Sequence, residues 1–521
     1  MVHQAFGHPN ALVSFELMFV AKLNIVFEKT QNPYKRLMMK TLIGIISAIL
    51  LINTNCHECN PDLVKEIQGY KHVVEQITEE ILNGASKGLC YDRLAEFVDA
   101  YQKRITGSQV LEDSIDHLLK KYQSEGSVMD KTWKEPVPNV PHWIRGEEEV
   151  FLIQPVHKRM SVLAFGGSVA TPSGEPVVAE AVVVTSSNDL RSLDTSQVSG
   201  KIVVYNQGFE GYFRSNIQVY RDNLYSEIAK LGAIAVLVES SGPLSINSPH
   251  TGIMMYLEGE RKMPVIAITK EDAQMLRRMY LRGERIVLSV KSNANTLEPS
   301  MSYNLIADYN GTKHPDKVVV VSGHIDNWDV GQGAMDDAGG MMIGLISVEI
   351  MNRLGLRPKR TIRNILWTAE EQGKLGSKHY FDQHKNELDK FVFVMESDAG
   401  TFDPQGLIYT GDRYNGECII KEILSLLSNV SLFKHRWTSG WVSTDITHFT
   451  DAGIPGVGLW DTDGEPDGRY FYFHHTEGDM MTVEDPDALD RAVILWAVTA
   501  YIVADITEDF PRMSPEMLLV M

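Results

Sequence analysis

The chain has 521 residues, of which 44% are hydrophobic and 22% are charged. This composition is typical of a globular protein with a large buried core, and at about 150 residues per domain the length predicts roughly three folded units. The formal net charge of −19 argues against nucleic acid or an anionic membrane as the main partner.

The first apolar run of the chain lies at 42–52 and follows several basic residues. It is too short to span a membrane, which needs about 20 residues. A basic segment, a short apolar run and small polar residues are typical of a secretory signal peptide. We therefore predict a signal peptide at 38–55, interpret 1–37 as a gene-model extension, and keep an internal strand as the alternative. The expected location is outside the cell, or in a lysosome or another compartment of the secretory pathway.

Beyond this segment, the apolar pattern divides the chain into three stretches. From 61 to 125 apolar residues recur at helical spacing, and a second helix is expected over 109–121. From about 156 to 300, short apolar runs are separated by Gly, Ser and Pro, which is typical of strands. From 301 onward, strands alternate with helices, which is the pattern of a doubly wound α/β domain.

Polar residues gather just past the ends of the strands predicted in the third stretch. In chain order these are His324 with Asp326 after 317–322, Asp336 with Asp337 at the start of a helix over 338–354, Glu370 with Glu371 after 362–368, Asp398 after 391–395, and His474 with His475 after a strand near 457–460. Because ligands of open α/β sheets bind at the carboxyl ends of the strands, we expect these residues to meet at one edge.

The chemistry of these residues favours a pair of divalent metal ions. Imidazole and carboxylate groups without a thiolate suit zinc. A two-metal site needs a bridging carboxylate and a base beside the water between the ions, and the adjacent Glu370 and Glu371 can serve as one base and one ligand. Taken singly, His324 is explained as a loop histidine and the Asp336–Asp337 pair as a helix cap. Their repetition at successive strand ends favours the metal site.

These motifs resemble the M28 family of co-catalytic zinc exopeptidases. The likeness runs from about residue 60 to 515 and is most specific at 323–337, 367–373 and 395–402, with a further motif at 104–108. It implies an α/β fold with a doubly wound mixed sheet and helices on both faces.

The resemblance also implies a division of the chain into domains. Residues 56–155 would form the N-terminal part of the peptidase domain, with a propeptide as an alternative for some of them. A β-rich domain similar to protease-associated domains would be inserted at 156–300, and 301–521 would carry the main part of the peptidase domain with the metal site.

The resemblance assigns a role to each candidate site residue. Asp336 would bridge two zinc ions, with His324 and Asp398 completing one site and Glu371 and His475 completing the other. Glu370 would be the catalytic base, and His474 would stabilise the tetrahedral intermediate. Asp326 would accept a hydrogen bond from the far ring nitrogen of His324. For Asp337 we expect a helix cap rather than a metal ligand.

The implied function is a secreted exopeptidase with two zinc ions per chain that hydrolyses dipeptides and short peptides. A water bridging the two ions would lose its proton to Glu370 and attack the scissile carbonyl. A carboxypeptidase is expected; an aminopeptidase and a catalytically inactive binding protein are the alternatives. The expected partners are peptide substrates and a second copy in a homodimer, with no nucleic acid and no membrane span. Sequons at Asn310 and Asn429 fit a glycoprotein.

Overall fold

The computed structural model describes residues 59–124, 126–208, 224–398, 401–461 and 468–513. The predicted signal peptide at 38–55 and residues 1–37 lie outside these ranges. Within them, no helix has the length and hydropathy of a membrane span.

The N-terminal stretch is helical, as predicted. Its helices are α1 (Pro61–Gln68), α2 (Lys71–Leu82), α3 (Leu89–Ala100) and α4 (Gln109–Gln123). Helix α4 begins at 109 because the Ser108 side chain accepts a hydrogen bond from the Leu111 N–H at 3.2 Å and so caps the first turn.

Strands and further helices follow in chain order. The strands are β1 (Lys131–Val140), β2 (Trp143–Ile144), β3 (Glu148–Gln154), β4 (Lys158–Met160), β5 (Val162–Ala164), β6 (Val177–Val184), β7 (Ile202–Tyr205), β8 (Ala235–Glu239), β9 (Val265–Ile268), β10 (Val287–Ser292), β11 (Asn295–Thr296), β12 (Ser300–Tyr309), β13 (His314–His324), β14 (Arg360–Trp367), β15 (Phe391–Glu396), β16 (Pro404–Thr410), β17 (Lys434–Trp437) and β18 (Gly456–Asp461). The helices are α5 (Ser187–Arg191), α6 (Thr195–Val198), α7 (Leu224–Lys230), α8 (Lys270–Leu281), α9 (Gly339–Arg353), α10 (Leu375–His384), α11 (Asn415–Leu426), α12 (Thr447–Asp451), α13 (Tyr470–Phe473) and α14 (Pro486–Asp505).

The main sheet has eight strands in the order β1-β12-β14-β13-β15-β18-β16-β17. Its four central strands, β14, β13, β15 and β18, are parallel, and antiparallel pairs flank them. Val319 and Val321 face the core that α9 and α14 share with the N-terminal helices, whereas Val318 and Val320 face α10 and α12. Alternate residues of one strand therefore enter cores on opposite faces, which confirms the doubly wound mixed sheet.

A second eight-stranded sheet has the order β4-β3-β10-β6-β7-β8-β9-β5. Strands β6 to β9 are parallel neighbours, and their side chains fill an apolar cluster on each face. We call the described residues within 148–292, namely 148–208 and 224–292, the second-sheet unit. It begins with β3, a few residues before the domain boundary expected at 156.

Candidate metal centre

The parallel strands of the main sheet end at a common edge. His324 is the last residue of β13 and is paired in register with Trp367, the last residue of β14; β15 ends beside them at Glu396. The polar residues that follow each strand therefore emerge next to one another, as the strand-end pattern predicted.

The five residues expected to bind metal lie together at this edge and are buried or nearly so. His324 Nε2 lies 3.2 Å from Asp336 Oδ1 and 3.3 Å from Asp398 Oδ1. His475 Nε2 lies 3.3 Å from Asp336 Oδ2 and 3.0 Å from Glu371 Oε2. Asp336 thus presents one carboxylate oxygen to each histidine, which is the arrangement expected of a bridging carboxylate.

His474 lies beside the same carboxylate. Its Nε2 is 3.4 Å from Asp336 Oδ2, and its ring stacks on that of His475 with centroids 3.5 Å apart. Burial, followed by the neighbouring His475, lowers the pKa of His474 well below its usual range. A buried, neutral imidazole at this point can act either as a ligand or as a hydrogen-bond donor, so the contact of His475 with Glu371 is what supports His475 as the ligand.

The donor atoms fit a metal ion. Ligand atoms of Asp336, His474 and His475 lie within 4.8 Å of one another, as do those of His324, Asp337 and Asp398. Glu371 Oε1 is buried without a hydrogen-bond partner among the described residues. Leaving a carboxylate oxygen buried and unpaired is costly, and a cation bound beside it would remove that cost.

The charges around the site also indicate that a cation belongs there. Burial raises the pKa of Glu371 to about 7, and neighbouring Asp336 adds to the effect. Burial likewise raises the pKa of Glu370 well above its usual range, with further contributions from Asp398 and Asp445. For His475, burial lowers the pKa, but Glu371 and Asp336 outweigh it and raise the pKa to about 10. Several acidic groups are therefore buried close together, an arrangement that a bound cation would stabilise.

Asp326 contacts both the main chain of Glu370 and Glu371 and the ring of His324. Its Oδ1 accepts from the Glu370 N–H at 3.1 Å, and its Oδ2 accepts from the Glu371 N–H at 3.3 Å and from Thr106 Oγ1 at 3.0 Å. The ring of His324 bonds instead to the main-chain carbonyl of Asp326, at 2.9 Å from Nδ1, while the carboxylate oxygen is 3.9 Å away. Asp326 therefore accepts from the far ring nitrogen of His324 through its main-chain carbonyl, because its carboxylate accepts from the main-chain N–H groups of the two glutamates.

Asp337 is not a helix cap, contrary to our expectation. Helix α9 has Ala338 as its N-cap residue and lacks a side-chain cap. The Asp337 carboxylate instead turns towards the strand and accepts from the His324 N–H at 3.0 Å. This packing requires glycine at 340, because a Cβ there would lie 2.2 Å from Asp337 Oδ1 and 1.9 Å from the Ser397 carbonyl oxygen.

Sequence reasoning missed Asp479, which holds the loop that carries Asp336. Its carboxylate accepts from the main-chain N–H groups of Ala334, Met335 and Asp336 at 2.9, 2.8 and 3.2 Å. Asp479 lies four residues after His475, but one acidic residue in a polar segment carries no signal of such a role.

Arg104 fixes the other end of this loop. It is fully buried, and its guanidinium donates to the main-chain carbonyls of Ile325, Gln332 and Gly333 at 2.7, 2.9 and 3.1 Å. The motif at 104–108 was part of the resemblance, but nothing in the motif predicts that its arginine contacts the metal-site loop.

Residues 304–500 match the model of peptidase family M28. Together with the relatives below, this shows that the chain belongs to peptidase family M28 and is a metallopeptidase. The chain is 40% identical over 484 residues to carboxypeptidase Q of Xenopus laevis, covering 91% of this chain and all of the relative. It is 42% identical over 451 residues to carboxypeptidase Q of Homo sapiens, covering 87% and 93% of the two chains.

A solved structure supports the same conclusion. The peptidase M28 precursor from Shewanella amazonensis superposes with a TM-score of 0.78 at 28% identity, covering 86% of this chain and all of that chain. The fold and family expected from the strand-end motifs are therefore confirmed, while the roles of individual site residues remain proposals.

Proposed function

We propose that the protein is a secreted di-zinc exopeptidase that hydrolyses dipeptides and short peptides as a carboxypeptidase. The observation that carries this proposal is the position of Asp336, whose two oxygens face His324 and His475 separately. A carboxylate so placed, with Asp398 on one side and Glu371 on the other, suits two metal ions better than one.

In the proposed assignment, His324 and Asp398 would hold one zinc, Glu371 and His475 would hold the other, and Asp336 would contribute to both sites. The donor set of imidazole and carboxylate groups, without thiolate, suits zinc. Bound zinc would supply a Lewis acid for the scissile carbonyl and would lower the pKa of a water at the site.

Glu370 is the proposed general base. It would take a proton from the attacking water and deliver it to the leaving amine. Asp326 fixes the main chain of Glu370 through the hydrogen bond from its N–H, so the carboxylate is presented from a rigid turn. His474, whose low pKa keeps it neutral, is proposed to donate a hydrogen bond to the oxyanion.

A cleft lies beside the donors and is lined by Asn327, Trp328, Val330 and Thr476 as well as by site residues. Dipeptides and short peptides are proposed as substrates because the chain resembles exopeptidases of the M28 family.

The direction of cleavage is proposed from the name that the relatives carry. An aminopeptidase would use the same metal ligands and is the second candidate. Hydrolysis of an N-acetylated dipeptide and of the corresponding dipeptide amide separates the two. We expect cleavage of the acetylated substrate and little cleavage of the amide; the opposite preference would assign the chain as an aminopeptidase.

Secretion, glycosylation and dimer formation are part of the proposal. Cys418 takes part in a disulfide bond, which supports an oxidising compartment, either extracellular or lysosomal. Asn310 and Asn429 are exposed, as glycosylation requires. Deglycosylation followed by mass spectrometry and sedimentation analysis would test the glycans and the homodimer.

A further inference from the structure

The loop that follows β13 enters the core of the second-sheet unit. Trp328 and Val330 of this loop belong to an apolar cluster with Val150, Leu237 and Leu288 of that unit. Trp328 is only 2% exposed. A loop that begins just after the metal-site residue His324 is therefore anchored in the other sheet's core.

Trp328 and, in the second-sheet unit, Thr251 both contact His475. The edge of the Trp328 ring meets the His475 ring, with centroids 5.8 Å apart and planes at 61°. The main-chain carbonyl of Thr251, in the second-sheet unit, lies 3.3 Å from His475 Nδ1, and the Thr251 N–H donates to the His475 carbonyl at 2.9 Å. Thr251 is fixed in turn by its hydroxyl, which donates to the Ala164 carbonyl at 2.8 Å.

His475 needs this support because its own backbone is unfavourable. Its φ of +59° is in the left-handed region, which residues other than glycine rarely adopt. A carbonyl acceptor at Nδ1 also selects the tautomer that leaves Nε2 free as a ligand. Both the ring position and the tautomer of His475 thus depend on residues held by the second-sheet unit.

Building on the proposed function, we propose that the second-sheet unit positions His475 for metal binding and that Trp328 is a positioning residue in this coupling. The zinc held by His475 and Glu371 would therefore depend on packing around Trp328. The zinc held by His324 and Asp398 would depend on it much less, because His324 is fixed by the strand pairing of β13 with β14.

Gly166 offers a test from within the second-sheet unit, at a position that is not itself a proposed ligand. A Cβ at this position would lie 2.2 Å from Cη2 and 2.4 Å from Cζ3 of Trp328. Its φ is not in the left-handed region, so Gly166→Ala is opposed by the tryptophan ring rather than by the backbone. Trp328→Phe removes the atoms that clash, and the double variant should restore the packing.

The experiment titrates metal-free protein with zinc against a competing chelator and measures thermal unfolding in parallel. For Gly166→Ala we expect one of two zinc equivalents to bind about 10- to 100-fold more weakly, and the double variant with Trp328→Phe should recover most of the loss. Gly440→Ala, where the added Cβ has its nearest neighbour at 3.8 Å, is the matched control and should bind both equivalents as the wild type does.

Three results would overturn the coupling. In the first, Gly166→Ala binds zinc with wild-type affinity. In the second, Gly166→Ala binds both zinc equivalents equally more weakly and has a lower Tm. In the third, the loss of zinc affinity in the double variant equals the sum of the losses in the two single variants. If Gly166→Ala does not fold, zinc binding is measured in Trp328→Phe alone. The proposal then requires weaker binding of one zinc equivalent, and unchanged binding of both equivalents would overturn it. Failure of the wild-type protein to bind zinc would instead overturn the proposed function, so the two failures are distinguishable.

Discussion

Glu370 and Glu371 are adjacent, yet the proposed mechanism gives them different tasks. Replacing Glu370 by Gln removes the base and keeps the shape of the side chain, so both metal ions should stay bound. Turnover should fall about 10²- to 10⁴-fold, the usual contribution of a general base. Metal content and kcat of Glu370→Gln and Glu371→Gln, measured side by side, test this assignment. Retention of metal with loss of turnover in Glu371→Gln instead would reverse the two roles.

The stacked histidines pose a similar question of assignment. We expect His475→Ala to lower zinc stoichiometry, because His475 contacts both Glu371 and Asp336. His474→Ala should keep the metal and reduce turnover through loss of the oxyanion donor. Elemental analysis of the two purified variants is the measurement, and equal loss of metal in both would refute the distinction.

At the scale of single residues, chemical type and strand-end position were enough to predict which side chains meet. They were not enough to predict side-chain direction. Asp337 does not cap the helix, and Asp326 uses its main-chain carbonyl rather than its carboxylate to accept from His324. Both carboxylates instead accept from main-chain N–H groups that only the folded chain brings near. Asp479 was missed for the same reason.

At the scale of elements, the buried strands were predictable and the edge strands were not. The central strands read as continuous apolar runs, as parallel strands covered on both faces do. Strand β1 was missed because it contains Pro136 and Pro138, which interrupt a strand pattern. It forms one edge of the main sheet, where proline is tolerated because one side of the strand needs no hydrogen bonds.

The final helix gives a prediction about capping. The Asp485 side chain accepts from the Ala488 N–H at 2.8 Å, and Pro486 occupies the first turn, as the sequence suggests for a helix start. Asp485→Ala should lower the free energy of unfolding by about 1 kcal/mol, the typical cost of losing an N-cap. Urea denaturation measures this change. Asp487→Ala, at an exposed position in the same turn, is the control, and an equal effect there would argue against capping.

At the scale of the whole molecule, the peptidase core is built from segments far apart in the chain. Ile77 and Leu94 of the N-terminal helices share one buried cluster with Val348 of α9 and Trp496 of α14. Polar contacts join the same elements: Tyr70 Oη donates to Asp505 Oδ2 at 2.8 Å. The alternation of strands and helices predicted the second half of this core, whereas the contribution of the N-terminal helices was implied only by the resemblance to the M28 family.

This packing predicts the behaviour of a fragment comprising residues 301–521. Such a fragment would lose the N-terminal helices and expose the apolar face of α14, so we expect it to aggregate or to remain unfolded. Expression with size-exclusion chromatography and circular dichroism tests this, with residues 59–521 as the control. A soluble fragment that binds zinc and hydrolyses peptides would refute the discontinuous domain.

Five side chains at one sheet edge are proposed to hold the two zinc ions that the peptidase needs. The most direct measurement is activity against a dipeptide as metal-free protein is titrated with zinc, combined with elemental analysis of the purified enzyme. We expect two zinc ions per chain, complete loss of hydrolysis on chelation, and full recovery only after two equivalents are added. Full activity in the metal-free protein, or after a single equivalent with no second ion bound, would contradict it.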